Sequence, residues 1–148
     1  MQTQVQAGDR VVIDTNIVLD LLVFKDAATQ PLQQALQTGQ LHWLATQPMR
    51  DELQRVLSYP QIAKRLAFYK LNAEDVLAGF DRQAHLVDAA AKAPVTCTDA
   101  DDQIFIDLAV AHQAWLLSKD QAVLCMKKRL LALAVRAQAA IKTIADHR

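Results

Sequence analysis

Four acidic side chains stand where chemistry is possible. Asp14 ends the apolar run Val11-Val12-Ile13, Asp120 follows Trp115-Leu116-Leu117-Ser118, Asp102 opens the apolar stretch that reaches Ala111, and Glu52 lies six positions past Thr46. Asp99, three residues before Asp102, adds a fifth. Two carboxylates about 4 Å apart repel by about 4 kcal/mol at an effective dielectric near 20, so acids gathered at one place require protons or a cation. All the candidate ligands are hard oxygen donors, and His42, His85, His112 and His147 fall outside the strand-end positions. That chemistry favours Mg²⁺ or Mn²⁺ over Zn²⁺. Such a cation suits phosphodiester hydrolysis, where it acidifies a water, polarises the phosphate and neutralises the leaving oxygen. The same acids fit one octahedral ion or two ions about 4 Å apart.

Taken singly, each aspartate is explained by helix capping: Asp14 for a helix near Asn16, Asp99 for the one through Phe105 with Asp102 in its first turn, Asp120 for one after Ser118. Taken together they say more. In a parallel sheet all strand carboxyl ends share one edge, where ligands of open α/β sheets bind, so Asp14, Asp102 and Asp120 converge there. Glu52, about 9 Å along its helix at roughly 1.5 Å per residue, reaches the same edge with a longer side chain.

The elements that must position these acids are readable from the pattern. Arg10 to Asp14 reads as a buried strand running into an apolar helix-like stretch, Asn16 to Phe24. Pro31 to Leu36 reads as a helix, Gly39 as a break, and Leu41-His42-Trp43-Leu44-Ala45 as a second strand. A third helix opens at Thr46 and carries Met49, Leu53, Val56 and Leu57 on one face. Pro60 to about Ala91 reads as a helical layer with Asn72 as a cap. Val95 to Asp99 suggests a very short strand, Asp102 to Ala111 a helix, Trp115 to Ser118 a strand, and Leu133-Ala134-Val135 a final edge strand before a terminal helix. Strands alternating with helices, without Asn-Gly or Asp-Gly hairpin turns, predict an α/β fold of three layers around a parallel sheet.

Bulk properties bound the function. The 148 residues, 52% of them hydrophobic, suit one domain spanning 1–148 with its core at about 10–136. Sixteen basic residues balance sixteen acidic ones, so no global field draws the chain to nucleic acid, and any such contact is local. Cys97 and Cys125 have neither disulfide-framework nor zinc-site spacing, which fits a reducing cytoplasm. The Gln-rich start lacks the features of a secretory signal, and no apolar run reaches the roughly 20 residues that span a bilayer, so a cytoplasmic protein without membrane attachment is expected.

Val11-Val12-Ile13-Asp14-Thr15-Asn16 resembles the opening motif of PIN domains. Asp51-Glu52-Leu53-Gln54-Arg55-Val56-Leu57, the stretch Asp99 to Ala109, and Leu116-Leu117-Ser118-Lys119-Asp120 resemble that family's further acidic motifs, in its order. The resemblance covers roughly Arg10 to Leu124 and is nearest to VapC-like toxins of type II toxin–antitoxin pairs. It implies a PIN-like (5'-3' exonuclease-like) fold, with Asp14, Glu52, Asp102 and Asp120 as the catalytic quartet. It further implies Asp99 as an accessory acid beside Asp14, Asp102 and Asp120 in metal binding, direct metal contact by Asp14 and Asp102, and Asn16 as the brace of Asp14. The implied activity is Mg²⁺- or Mn²⁺-dependent endonucleolytic cleavage of single-stranded RNA. The implied partners are a cognate antitoxin and a second copy in a homodimer.

Three features depart from that pattern: Lys119 where the group often has Gly, Ala122 in place of a frequent acid, and a C-terminal segment without the usual apolar strand and Thr-Pro. They leave room for an alternative, a catalytically weak or inactive PIN-fold module that binds RNA or antitoxin. A phosphatase of the haloacid-dehalogenase type also starts with a strand ending in Asp, but needs a second Asp where this chain has Asn16. Lys119 has three possible roles: pairing with a cluster acid, meeting a substrate phosphate, or standing in solvent. Arg50, Arg55, Lys64, Arg65 and Lys127-Lys128-Arg129 are the candidate RNA contacts, set against the plainer reading of solvated helix faces.

Overall fold

The computed structural model describes residues 5–141. Its first strand, β1 (Asp9–Ile13), is built of β-branched Val11, Val12 and Ile13, all buried, as a strand covered on both faces requires. At its start Asp9 Oδ2 accepts from Gln6 N at 2.8 Å and from Trp115 Nε1 at 3.0 Å. α1 (Thr15–Leu19) follows directly and widens into a π-helical turn, Asp20–Phe24. After a 3-10 turn, Ala27–Thr29, comes α2 (Gln30–Gln37), with Pro31 at its start. Gly39 closes α2 in a left-handed conformation, φ +79°, while Gln40 N bonds Ala35 O at 3.0 Å. This is the glycine-favoured helix stop.

The second strand, β2 (Leu41–Ala45), leads into α3 (Gln47–Leu57), whose Met49, Leu53 and Leu57 are buried. α4 (Pro60–Phe68) buries Leu66 alone. α5 (Ala73–Gln83) opens with a reciprocal capping box, Asn72 accepting from Asp75 N and Asp75 from Asn72 N, and packs Phe80 edge-on against Trp43 at 5.0 Å. Next come β3 (Ala84–Leu86), the 3-10 turn Ala100–Asp102, α6 (Gln103–His112) and β4 (Trp115–Leu117). The short helices α7 (Gln121–Leu124) and α8 (Lys127–Leu131) and the edge strand β5 (Ala137–Gln138) complete the described chain.

The five strands form one parallel sheet in the order β3-β2-β1-β4-β5, so the fold is the expected three-layer α/β/α. Sequence order runs outward from β1 one way to β3 and then resumes on its other side at β4. With right-handed crossovers this reversal puts the two sets of helices on opposite faces and opens a crevice beyond the carboxyl ends of β1 and β4. Among the described residues no helix is long and apolar enough to cross a membrane.

Three expectations are corrected. The stretch from Pro60 to Ala91 is two helices followed by β3, a three-residue edge strand with Ala84 half-buried and His85 and Leu86 exposed, too short to show any alternation. Val95 to Asp99 is a loop, because its backbone is satisfied by side chains of α6 instead of a neighbouring strand. Cys97 N donates to Gln103 Oε1 at 2.7 Å, Gln103 Nε2 to Val95 O at 3.0 Å, and Ala93 N to Asp107 Oδ1 at 2.8 Å. The last strand lies at Ala137–Gln138, not Leu133 to Val135. There the chain is still closing α8, with Ala134 at φ +66° and Val135 N bonded to Leu130 O at 2.9 Å. The expected terminal helix lies outside the described residues.

Two glycine substitutions have opposite expected signs. Gly39→Ala forces a Cβ into the left-handed region and lowers stability by about 1 kcal/mol or more. Gly79 lies inside α5, where a Cβ meets Leu22 Cδ2 at 3.6 Å and Arg82 Nη2 at 3.7 Å, ordinary contacts; Gly79→Ala therefore gains up to about 1 kcal/mol of helix propensity. Urea unfolding of both variants measures this.

Candidate functional site

The carboxyl ends of β1 and β4 meet because the strands pair in register, Ile13 opposite Leu117, and Asp14 N extends the ladder to Leu117 O at 2.9 Å. Asp14 holds the N-cap position of α1, yet its side chain makes no capping bond. Its carboxylate, 5% exposed, instead accepts at Oδ2 from Ser118 Oγ at 2.6 Å. Ser118 is fully buried, and its Oγ in turn accepts from Asp120 N at 3.0 Å. One hydroxyl thus fixes the acid after β1 relative to the acid after β4.

Asp99, Asp102 and Asp120 each bring a carboxylate oxygen within 4.8 Å of the others. For two of them the capping explanation holds: Asp99 accepts from Asp101 N at 3.0 Å and Asp120 from Ala122 N at 2.9 Å. Each has a second oxygen to spare. Asp102 caps nothing with its side chain. It is 6% exposed, and its Oδ2 is buried without a hydrogen-bond partner. Glu52 stands apart from these three on α3, half-buried, with Oε2 accepting from Thr15 Oγ1 at 2.5 Å. It is near enough to Asp14 for their charges to interact.

The electrostatics follow from burial without cations. Desolvation raises the Asp14 carboxyl above its ordinary value, against the lowering effect of the Ser118 hydroxyl and the Thr15 N–H. Asp102 is pushed up to about 8, first by desolvation, then by the bond it shares with Asp120 and by the charges of Asp14, Asp120 and Asp99. Asp120 is held below its ordinary value by that bond and by the Ala122 N–H. Glu52 is raised, chiefly by burial.

The nearest lysine in sequence does not neutralise these acids. Lys119 Nζ pairs with Asp20 Oδ2 at 2.5 Å, with half of its side chain still exposed, a partner outside the three roles expected for it. Arg50 is likewise engaged, with Asp81 at 2.8 Å. A buried carboxylate oxygen without a donor, facing two further carboxylates, is the donor set a hard divalent cation fits. Cys97 lies beside the acids, but burial raises its thiol and its Sγ donates to Ala122 O at 3.4 Å, so it is no nucleophile.

Sequence reasoning missed Ser118, two residues before Asp120, and Thr15, next to Asp14, whose hydroxyls bond Asp14 and Glu52. Asn16, expected to brace Asp14, is exposed; the brace is Ser118. Gln103 and Asp107 hold the loop leading to Asp99, and Gln103 also donates to Asp107 Oδ1 at 2.8 Å. A groove of about 1140 Å³ between α2 and α5 contains none of Asp14, Glu52, Asp99, Asp102 and Asp120. The family model described as PIN domain matches residues 10–122, about three-quarters of the chain. Comparison with curated proteins gave no match.

Two outcomes follow from the charges and the hydroxyl. A carboxyl raised from 3.8 to about 8 on folding stabilises the metal-free protein below pH 4, and that contribution is lost as pH rises through 8. Asp102→Asn therefore raises the Tm in EDTA more at pH 8 than at pH 5, and Mn²⁺ raises the wild-type Tm at pH 8; equal effects at both pH values contradict the assignment. Ser118→Ala strips Asp14 of its donor and costs about 1–3 kcal/mol, measured by urea unfolding.

Proposed function

The chain belongs to the PIN domain family, a family of nucleases, and from that premise we propose that it is a Mg²⁺- or Mn²⁺-dependent endoribonuclease cutting single-stranded RNA. The observation that carries this reading is Asp102, buried with an unpartnered oxygen against Asp99 and Asp120. Asp99, Asp102 and Asp120 would hold the cation, with Asp14 beside them. When bound, a divalent cation supplies Lewis acidity to a phosphate oxygen and makes an attacking water more acidic. Ser118 holds Asp14 beside the cluster, and the Asp120 backbone is tied to the same hydroxyl. Glu52, oriented by Thr15, is a proton acceptor at the rim. The open edge suits a polymer that enters sideways.

The protein acts in the cytoplasm as the toxin of a toxin–antitoxin pair, is restrained by a cognate antitoxin, and works as a homodimer. The test is incubation of a mixed-sequence single-stranded RNA with purified protein in Mn²⁺, in EDTA, and with the Asp14→Asn variant. The expected result is cleavage in Mn²⁺ alone, reduced at least about a hundredfold in the variant, on the scale of losing one preorganised charge at a reacting centre. Cleavage that survives in Asp14→Asn would overturn the assignment. A folded wild-type protein that binds RNA and cuts none would instead make it a PIN-fold binding module.

A further inference from the structure

Among the described residues, the aromatic side chains left in solvent all fall on one short stretch. Tyr59 is 47% exposed, Phe68 79% and Tyr69 41%, and the stretch from Tyr59 to Lys70 is α4 with its two ends. The same stretch carries Lys64, Arg65 and Lys70, all exposed, and no acid, in a chain of zero net charge. The aromatic groups form a cluster: Phe68 stands edge-on to Tyr69 at 5.2 Å, Tyr69 lies 6.2 Å from Phe24, and the Arg65 guanidinium sits 3.8 Å over the Phe24 ring. Helix packing does not account for Phe68, because α4 is anchored by Leu66 with Ile62 beside it.

We propose that α4 and its flanks are a docking platform for single-stranded RNA, with Phe68 and Tyr69 stacking bases and Lys64, Arg65 and Lys70 meeting phosphates. Exposed aromatic faces interleaved with cations are what an unpaired strand binds, since every base offers a planar face and every linkage a negative charge. A second copy is the poorer occupant, because a two-fold interface would set this positive patch against itself. An acidic peptide matches the charge but brings no planar groups to the rings. The platform rests on the reading of the protein as a single-strand ribonuclease, and gives its substrate a second point of hold on the helix that follows the Glu52 helix.

The experiment measures fluorescence anisotropy of a labelled 12-nucleotide single-stranded RNA with the full chain in EDTA, across a salt series, alongside light scattering. Phe68→Ala is expected to weaken binding about tenfold, the loss typical of one stacked base. Lys64→Gln is expected to flatten the dependence of log affinity on log salt by about 0.7. Leu86→Ala, an exposed apolar residue on β3, should bind as the wild type does. Unchanged RNA affinity in Phe68→Ala overturns the platform, and if self-association falls in that variant the face belongs to a second copy. Wild-type protein that binds no RNA also overturns it. Wild-type protein that binds through Phe68 but cuts nothing in Mn²⁺ upholds the platform and overturns the ribonuclease reading alone.

Discussion

Asp14 and Asp102 are buried at one sheet edge with no lysine or arginine paired to them among the described residues. Everything around them responds to that. An isolated buried carboxylate is costly, so the fold supplies a hydroxyl to Asp14 and a hydroxyl to Glu52, while burial and the neighbouring acids push the Asp102 carboxyl up. None of these supplies a full positive charge. The result is a site whose carboxyls are raised towards their protonated forms, and a divalent cation held there would compete with protons for the same oxygens.

The pairing of β1 with β4 is what creates this crowding, and the two strands themselves, though not their pairing, were legible in advance. Val11-Val12-Ile13 and Trp115-Leu116-Leu117 are continuous apolar runs because both strands are covered on both faces, and each is followed within three residues by an acid. The outer strands were not legible. β3 and β5 offer three and two residues to the ladder, and their pairing partners, more than their own side chains, hold them extended. Likewise the stretch from Val95 to Asp99, with β-branched Val95, Thr96 and Thr98, looked like a short strand; the side-chain amide of Gln103 takes bonds a strand would have made.

The acids were legible by type and spacing, but not by duty. Sequence treats Asp14, Asp99, Asp102 and Asp120 alike as aspartates near helix starts. The structure divides them: Asp99 and Asp120 cap, while Asp14 and Asp102 do not. Lys119 shows the same limit. Adjacent to Asp120 in sequence, it points to Asp20 on the π-helical turn, fastening the loop after β4 to the segment after β1. Adjacency along the chain gave the distance but not the direction.

The brevity of β3 and β5 has a bearing on assembly. A long bare edge is a template on which another chain can extend the sheet, and proteins avoid it by keeping edge strands short. Here the outermost strand on one side ends after Leu86, and the described strand on the other spans only Ala137 and Gln138. Neither presents a ladder long enough to register a partner strand. At these described edges the aggregation hazard of strand addition is therefore kept low.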